Sequence, residues 1–214
     1  MSVMATGERI SRQKAIEIIG AFSELIDRDN TINRATICGS LRRGCKSVGD
    51  AEIVIIPNYP KNDCLNEHTL QHSLFQSDTG DEPYTRECTN LLWRTLDRLV
   101  EEKVIQKAIY TDKNGRETNR WGKKFRSVCL PNNPFKIELY TAQPYNYGAI
   151  VCIRTGPADF SKMMVTRLRD YGMFLDQGIV WKCGDYGHRE MIGVSDEFMF
   201  FELCRLAYLK PQNR

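Results

Sequence analysis

The stretch Cys38-Gly39-Ser40-Leu41-Arg42-Arg43-Gly44-Cys45-Lys46-Ser47-Val48-Gly49-Asp50-Ala51-Glu52-Ile53-Val54-Ile55-Ile56 organises the chain. It opens on a Gly-Ser pair, passes two arginines and a second glycine, and ends in an apolar, β-branched run. Such a run after a glycine reads as a buried strand, here Asp50 to Ile56. Residues two apart in a strand share a face, so Asp50 and Glu52 are expected side by side at its start. Two carboxylates that close repel unless a cation or a proton compensates them. All-oxygen donors of this kind suit Mg²⁺ or Mn²⁺. Upstream, Gly39, Ser40, Arg43 and Gly44 offer bare amides, a hydroxyl and a guanidinium, the groups that hold a polyphosphate. A phosphate cradle beside metal-binding carboxylates points to nucleotide chemistry. The same residues also describe a basic surface turn ahead of an ordinary core strand.

The rest of the chain bounds that choice. Its 214 residues make one large domain or two small ones, long enough for a sizeable core. Hydrophobic content of 42% and charged content of 27% are ordinary for a globular protein. No apolar run reaches the roughly 18 residues of a membrane span. The start, MSVMATGERISRQK, has no apolar signal core, so a cytoplasmic protein is expected. Eight cysteines stand at 38, 45, 64, 88, 129, 152, 183 and 204, none as Cys-x-x-Cys. They read as reduced and mostly buried thiols. The net charge of +3 is uneven: residues 1–119 hold 16 Lys+Arg against 18 Asp+Glu, and residues 120–214 hold 14 against 9. A basic second half suits a polyanionic partner.

Ser11 is placed to cap a helix whose Ala15, Ile18, Ile19, Phe22, Leu25 and Ile26 fall on one face. Ala35 to Cys38 reads as a short strand, and Pro57 and Pro60 mark the exit from the Asp50–Ile56 strand. The polar residues 58–90 read as a surface insertion. Within it Cys64, His68 and His72 share a helical face, with Cys88 further on, which fits either zinc or an ordinary amphipathic helix. Asn90 precedes a helical pattern in which Leu92, Leu96, Leu99 and Val100 point inward. Ala108–Tyr110 and Phe125–Leu130 read as strands with a hairpin turn at Asn114-Gly115. The run WGKKFRS, residues 121–127, alternates rings and cations, as either a nucleic-acid groove or a half-exposed strand would. Phe135 to Tyr140 alternates cleanly, with Lys136, Glu138 and Tyr140 on one face.

The run GSLRRG, followed after three residues by VGDAE, resembles the nucleotidyltransferase signature of family X DNA polymerases, the polymerase beta type. The resemblance implies an α+β fold: a nucleotidyltransferase palm with a mixed sheet and flanking helices over residues 1–148, and a small thumb over 149–214. Glu138 matches the family's third metal-binding carboxylate, usually Asp, so Asp50, Glu52 and Glu138 are the implied catalytic and metal-holding residues for two Mg²⁺ or Mn²⁺ ions. Residues 153–164, IRTGPADFSKMM, resemble the Thr-Gly turn that opens the thumb, followed by a helix with a Phe160, Met163, Met164, Leu168 and Tyr171 stripe. The implied nucleotide contacts are Gly39, Ser40, Arg43, Gly49, Arg154, Thr155, Gly156 and Asp159. The implied DNA contacts are Lys136, Lys162, Arg167 and Arg169. Ile153-Arg154 stands where family members carry Tyr-Phe to sense the sugar 2′ position, which leaves deoxy- and ribonucleotides both open. From Asp196 to the Pro-x-x-Arg tail at 211–214 the chain resembles the family's closing helix. The family's lyase and helix-hairpin-helix modules have no counterpart, which implies the minimal palm-plus-thumb form of viruses and phages.

The expected activity is addition of nucleotides to a DNA 3′-hydroxyl in repair or gap filling. Its partners would be nucleoside triphosphates and primer-template or gapped DNA, with help from a further protein and no membrane. The alternatives are nucleotidyl transfer to RNA or another acceptor, and a non-catalytic DNA-binding or assembly subunit on the same fold.

Overall fold

In the computed structural model, residues 9–27, 30–60, 89–184 and 188–214 are described. Cys64, His68, His72 and Cys88, and most of the expected 58–90 insertion, lie outside them. The fold is mixed α+β, with a five-stranded mixed sheet and six helices among the described residues.

Helix α1 (Arg12–Ile26) starts where Ser11 accepts a hydrogen bond from the Lys14 amide, and it buries Ala15, Ile18, Ile19, Phe22 and Ile26. Strand β1 (Ile10–Ser11) pairs with β3 (Ser47–Val48), which brings the N-terminal segment against the signature turn. Strand β2 (Ile32–Ile37) is longer than the expected Ala35–Cys38 and feeds the short helix α2 (Gly39–Arg42). Strand β4 (Asp50–Pro57) follows, and α3 (Leu91–Glu101) is capped by Asn90 as its sequence anticipates.

The sheet runs β2-β4-β9-β8-β5, with β5 at Gln106–Lys107, β8 at Phe125–Cys129 and β9 at Lys136–Thr141. Only β4 and β9 are parallel, a pairing that needs a long crossover, and α3 lies within it. On one face Ala51, Ile53, Ile55, Ile137 and Leu139 pack against Phe22 and Ile18 of α1 and against Leu92 and Leu96 of α3. Each fully buried Ile, Leu or Phe among them contributes about 1.5–3 kcal/mol. Register therefore fixes which residues face the other way. The Asn114-Gly115 turn forms, but its hairpin is a separate ribbon, β6 (Ile109–Thr111) with β7 (Glu117–Asn119). Phe125–Cys129 pairs instead with β9 and β5, which corrects the expected hairpin.

Beyond β9, α4 (Tyr147–Thr155) contributes to two clusters. Tyr147 and Val151 pack with Val54 and Tyr140 of the sheet, and Ala149 and Cys152 pack with the C-terminal residues Phe160, Met164, Leu168, Phe200 and Phe201. The expected boundary between residues 148 and 149 thus falls in the first turn of a helix that both clusters use. Helix α5 (Ala158–Asp170) buries Phe160, Met164 and Leu168, while Met163, expected inside, is 39% exposed. The chain closes with the antiparallel sheet β10 (Met173–Asp176), β11 (Ile179–Cys183) and β12 (Arg189–Ile192), then α6 (Glu197–Leu203) capped by Asp196. The six described cysteines are free: Cys38, Cys152 and Cys204 are buried, Cys45 and Cys129 half-buried, and Cys183 exposed. No helix among the described residues is long and apolar enough to cross a membrane.

Candidate functional site

The β4–β9 register decides the site. Asp50 lies opposite Lys136 and Glu52 opposite Glu138, on the sheet face turned away from α1 and α3. Because the strands are in register, the three acids share one face of two adjacent strands. Helix α4 packs on this face at Val54 and Tyr140, with Ile56 partly buried beside them, and reaches Glu52 through Arg154. The acids at the N-terminal end of β4 are left beside the signature turn.

That turn is held against Glu52. The Cys38 amide donates to the Glu52 carbonyl at 2.7 Å. Gly39 has φ +61°, a conformation that favours glycine, and a Cβ there would push the Glu52 carboxylate aside. The two arginines that follow have separate partners. Arg43 donates to the Thr155 carbonyl at 2.6 Å, and Arg42 to the Thr155 hydroxyl at 2.8 Å and to Glu197. Burial alone would lower the Arg42 pKa, but its bond and charge pairing with Glu197 reverse this and raise it. Thr155 is fully buried at this junction, and a Cβ on Gly156 would meet the Phe160 ring. The Thr-Gly turn is thus bolted to the Gly-Ser turn through its backbone and its hydroxyl.

Glu138 is only 7% exposed and is held from both sides. Tyr110 Oη donates to its Oε1 at 2.6 Å, and Tyr140 Oη donates to its Oε2 at 2.6 Å. Burial, together with the Glu138 charge, pushes both phenols above their ordinary values, which keeps them as donors. Arg154 lies 3.9 Å above the Tyr140 ring and 3.8 Å from Glu52 Oε1. Lys136 sits 3.8 Å from the centre of the Tyr110 ring. Among the described residues no three His, Cys, Asp or Glu side chains gather closely enough to hold a metal ion. The tyrosines hold Glu138, and Arg154 pairs with Glu52.

Sequence reasoning thus leads to Gly39, Arg43, Asp50, Glu52, Lys136, Glu138, Arg154 and Thr155, which the fold brings together. Ser40 is half-buried within α2, and Gly49 has Arg9 as its nearest outside neighbour. Asp159, Lys162 and Arg169 are exposed on α5 and Arg167 is half-buried there; nothing among the described residues ties these four to the acids. Arg9, Arg42, Tyr110, Tyr140 and Glu197 were missed. Of these, only Arg42 and Tyr140 carried a signal, as immediate neighbours of motif residues.

Electrostatics bind the acids into one unit. Burial, and then the charge of Asp50, push the Glu52 carboxyl up to about 7. Asp50 is raised too, by burial and then by Glu138, while Arg9 and Lys136 pull it partly back. A carboxyl that holds its proton more tightly when folded destabilises the fold once it ionises. Without divalent cations, stability is therefore expected to fall as pH rises from about 5 to about 7.5, by on the order of 2 kcal/mol. Urea midpoints in chelator across this window measure the slope, and Glu52→Gln should remove most of it. An equally steep slope in the variant would refute the assignment to Glu52.

Against protein-family models, the chain matches none.

Proposed function

We propose that the chain is a nucleotidyltransferase of the polymerase beta type, with a palm over residues 1–148 and a thumb over 149–214, that adds nucleotides to a DNA 3′-hydroxyl. The observation that carries this reading is the alignment of Asp50, Glu52 and Glu138 on β4 and β9 beside a glycine-bearing turn flanked by Arg43 and Arg154. In the reaction the 3′-hydroxyl gives up its proton to water as a bond forms between its oxygen and the α-phosphorus. The α–β bridging bond breaks, and pyrophosphate leaves.

The donor set fits Mg²⁺ or Mn²⁺ in kind. It is all oxygen, two of its members have raised pKa values, and a carboxylate offers about four lone pairs, of which the tyrosines use two on Glu138. Asp50, Glu52 and Glu138 do not gather closely enough here to enclose an ion; drawn nearer one another they would hold two such ions, with Tyr110 and Tyr140 orienting Glu138 as outer partners. Bound there, the ions supply activation of the attacking hydroxyl and charge neutralisation for the leaving pyrophosphate.

The remaining work is positioning. Arg43 keeps one N–H on Thr155 and has others for the β- and γ-phosphates, since a guanidinium carries five donors. The amides of Gly39, Ser40 and Gly49 serve the same phosphates. Arg154 leaves Glu52 for the nucleotide, while Gly156 and Asp159 border the nucleotide and Lys162, Arg167 and Arg169 the template backbone.

Primer extension tests this on gapped DNA, blunt DNA, single strands and RNA, each with deoxy- and ribonucleotides and with Mg²⁺ or Mn²⁺. Incorporation on gapped or primed DNA is the expected result. Incorporation only on RNA would move the activity to the alternative acceptor. Binding of DNA with no incorporation under any condition would make the chain a non-catalytic subunit.

A further inference from the structure

The ribbon β6–β7 lies beside Glu138 and is set in a basic segment of the chain. Residues 103–136 hold nine Lys+Arg against two Asp+Glu, whereas the whole chain has 30 against 27; within the ribbon itself Lys113 and Arg116 are balanced by Asp112 and Glu117, and the excess lies at its flanks, Arg120 and Lys136 among them. The root of the ribbon is fixed to β8: the Ala108 amide donates to the Ser127 carbonyl at 2.9 Å, and the Ser127 amide to the Arg120 carbonyl at 3.0 Å. Lys113, Arg116 and Arg120 are exposed along it. Arg120 lies 4.3 Å from the centre of the Tyr110 ring and 5.6 Å from that of Phe125, and Lys136 lies over Tyr110. Tyr110 in turn bonds Glu138, so this row of cations and rings ends at the acids.

We propose that the β6–β7 ribbon, with Arg120 and Lys136 laid against Tyr110, is a binding track for single-stranded DNA leading to the carboxylates. The inference rests on the nucleotidyltransferase reading for its choice of DNA. A duplex presents its phosphates outward and needs only cations. Cations interleaved with rings also receive an unpaired base, which stacks on guanidinium or aromatic faces while its phosphate meets the charge. Arg126, in the neighbouring run at 121–127, is not part of that surface: it is 8% exposed, lies between Trp93 and Trp121, and bonds Asp97 at 2.8 Å.

The test is fluorescence anisotropy of the full chain, without nucleotide, on a labelled oligothymidylate about 16 nucleotides long and on a blunt duplex of equal length. The wild type should prefer the single strand. Arg116→Ala/Arg120→Ala should lose about ten-fold on the single strand and less than about two-fold on the duplex, with the salt slope on the single strand falling by about 1.4. Arg120→Lys, which keeps charge and fold, should keep the slope and still lose several-fold affinity. Equal losses on both probes, no loss in the double variant, or full affinity in Arg120→Lys would each overturn the proposal. A chain that binds the single strand in this way yet never extends a primer would refute the proposed reaction and leave the track standing. Extension without single-strand preference would do the reverse.

Discussion

Asp50→Ala is expected to lower primer extension by about a thousand-fold or more, the equivalent of roughly 4 kcal/mol in the transition state. Asp50 opens β4 opposite Lys136, and its pKa is already raised by burial and by Glu138. It belongs to a group of like charges held together at a cost to the fold. Removing one member relieves repulsion, so the variant should unfold at the same urea concentration as the wild type or a higher one. Lost activity without lost stability is the signature of a side chain placed for chemistry rather than packing. A buried acid serving only as an ion-pair partner would show the opposite, with stability falling and activity following it. Single-turnover extension and urea unfolding on the same preparation separate the two. A variant within about ten-fold of the wild-type rate would remove Asp50 from the reaction.

How far the sequence reveals this site depends on the range of the interaction concerned. The Asp50–Ile56 strand, the caps at Ser11 and Asn90, and the alternation from Phe135 to Tyr140 follow from neighbours in the chain, and the structure has all of them. The alternation even places Glu138 on the correct face, because period two leaves only one choice once Ile137 and Leu139 are buried. Helix α4 was invisible for a physical reason. Its sequence, YGAIVCIRT, is packed between two clusters and so has no polar stripe to reveal a helical period. The strands β10 to β12 are short and half-exposed, and their pairing signal is correspondingly faint. Tyr110 and Tyr140 could not be assigned because a phenol's role depends on what lies within reach in space. Adjacent arginines posed the same problem. Arg43 holds the Thr155 backbone while Arg42 turns to Glu197, a residue 155 positions away.

Glu197→Ala should be the most destabilising single change in the C-terminal part of the molecule, at about 3–5 kcal/mol. Glu197 is 8% exposed and takes a guanidinium on each oxygen: Arg214 on Oε1 at 2.6 Å and Arg42 on Oε2. The Arg214 side chain is fully buried among Phe160, Phe201 and Tyr208, and its Nε donates to the Leu209 carbonyl at 3.0 Å. Without the carboxylate, Arg214 would stay buried and Arg42 half-buried, both unable to shed their protons and both without the counter-charge that Glu197 supplies. The pair itself need not favour folding over an apolar alternative; the penalty comes from leaving it half-dismantled. The effects should therefore rank in a definite order. Arg214→Ala leaves Glu197 paired with Arg42 and should cost less than Glu197→Ala. Because Arg42 also holds the Thr155 hydroxyl beside the signature turn, the loss should spread to the site and raise the KM for nucleotide. Urea unfolding of both variants and steady-state kinetics at a temperature where each is folded supply the readouts. Equal midpoints for Glu197→Ala and the wild type would show that the network does not join the tail to the Gly39–Arg43 turn.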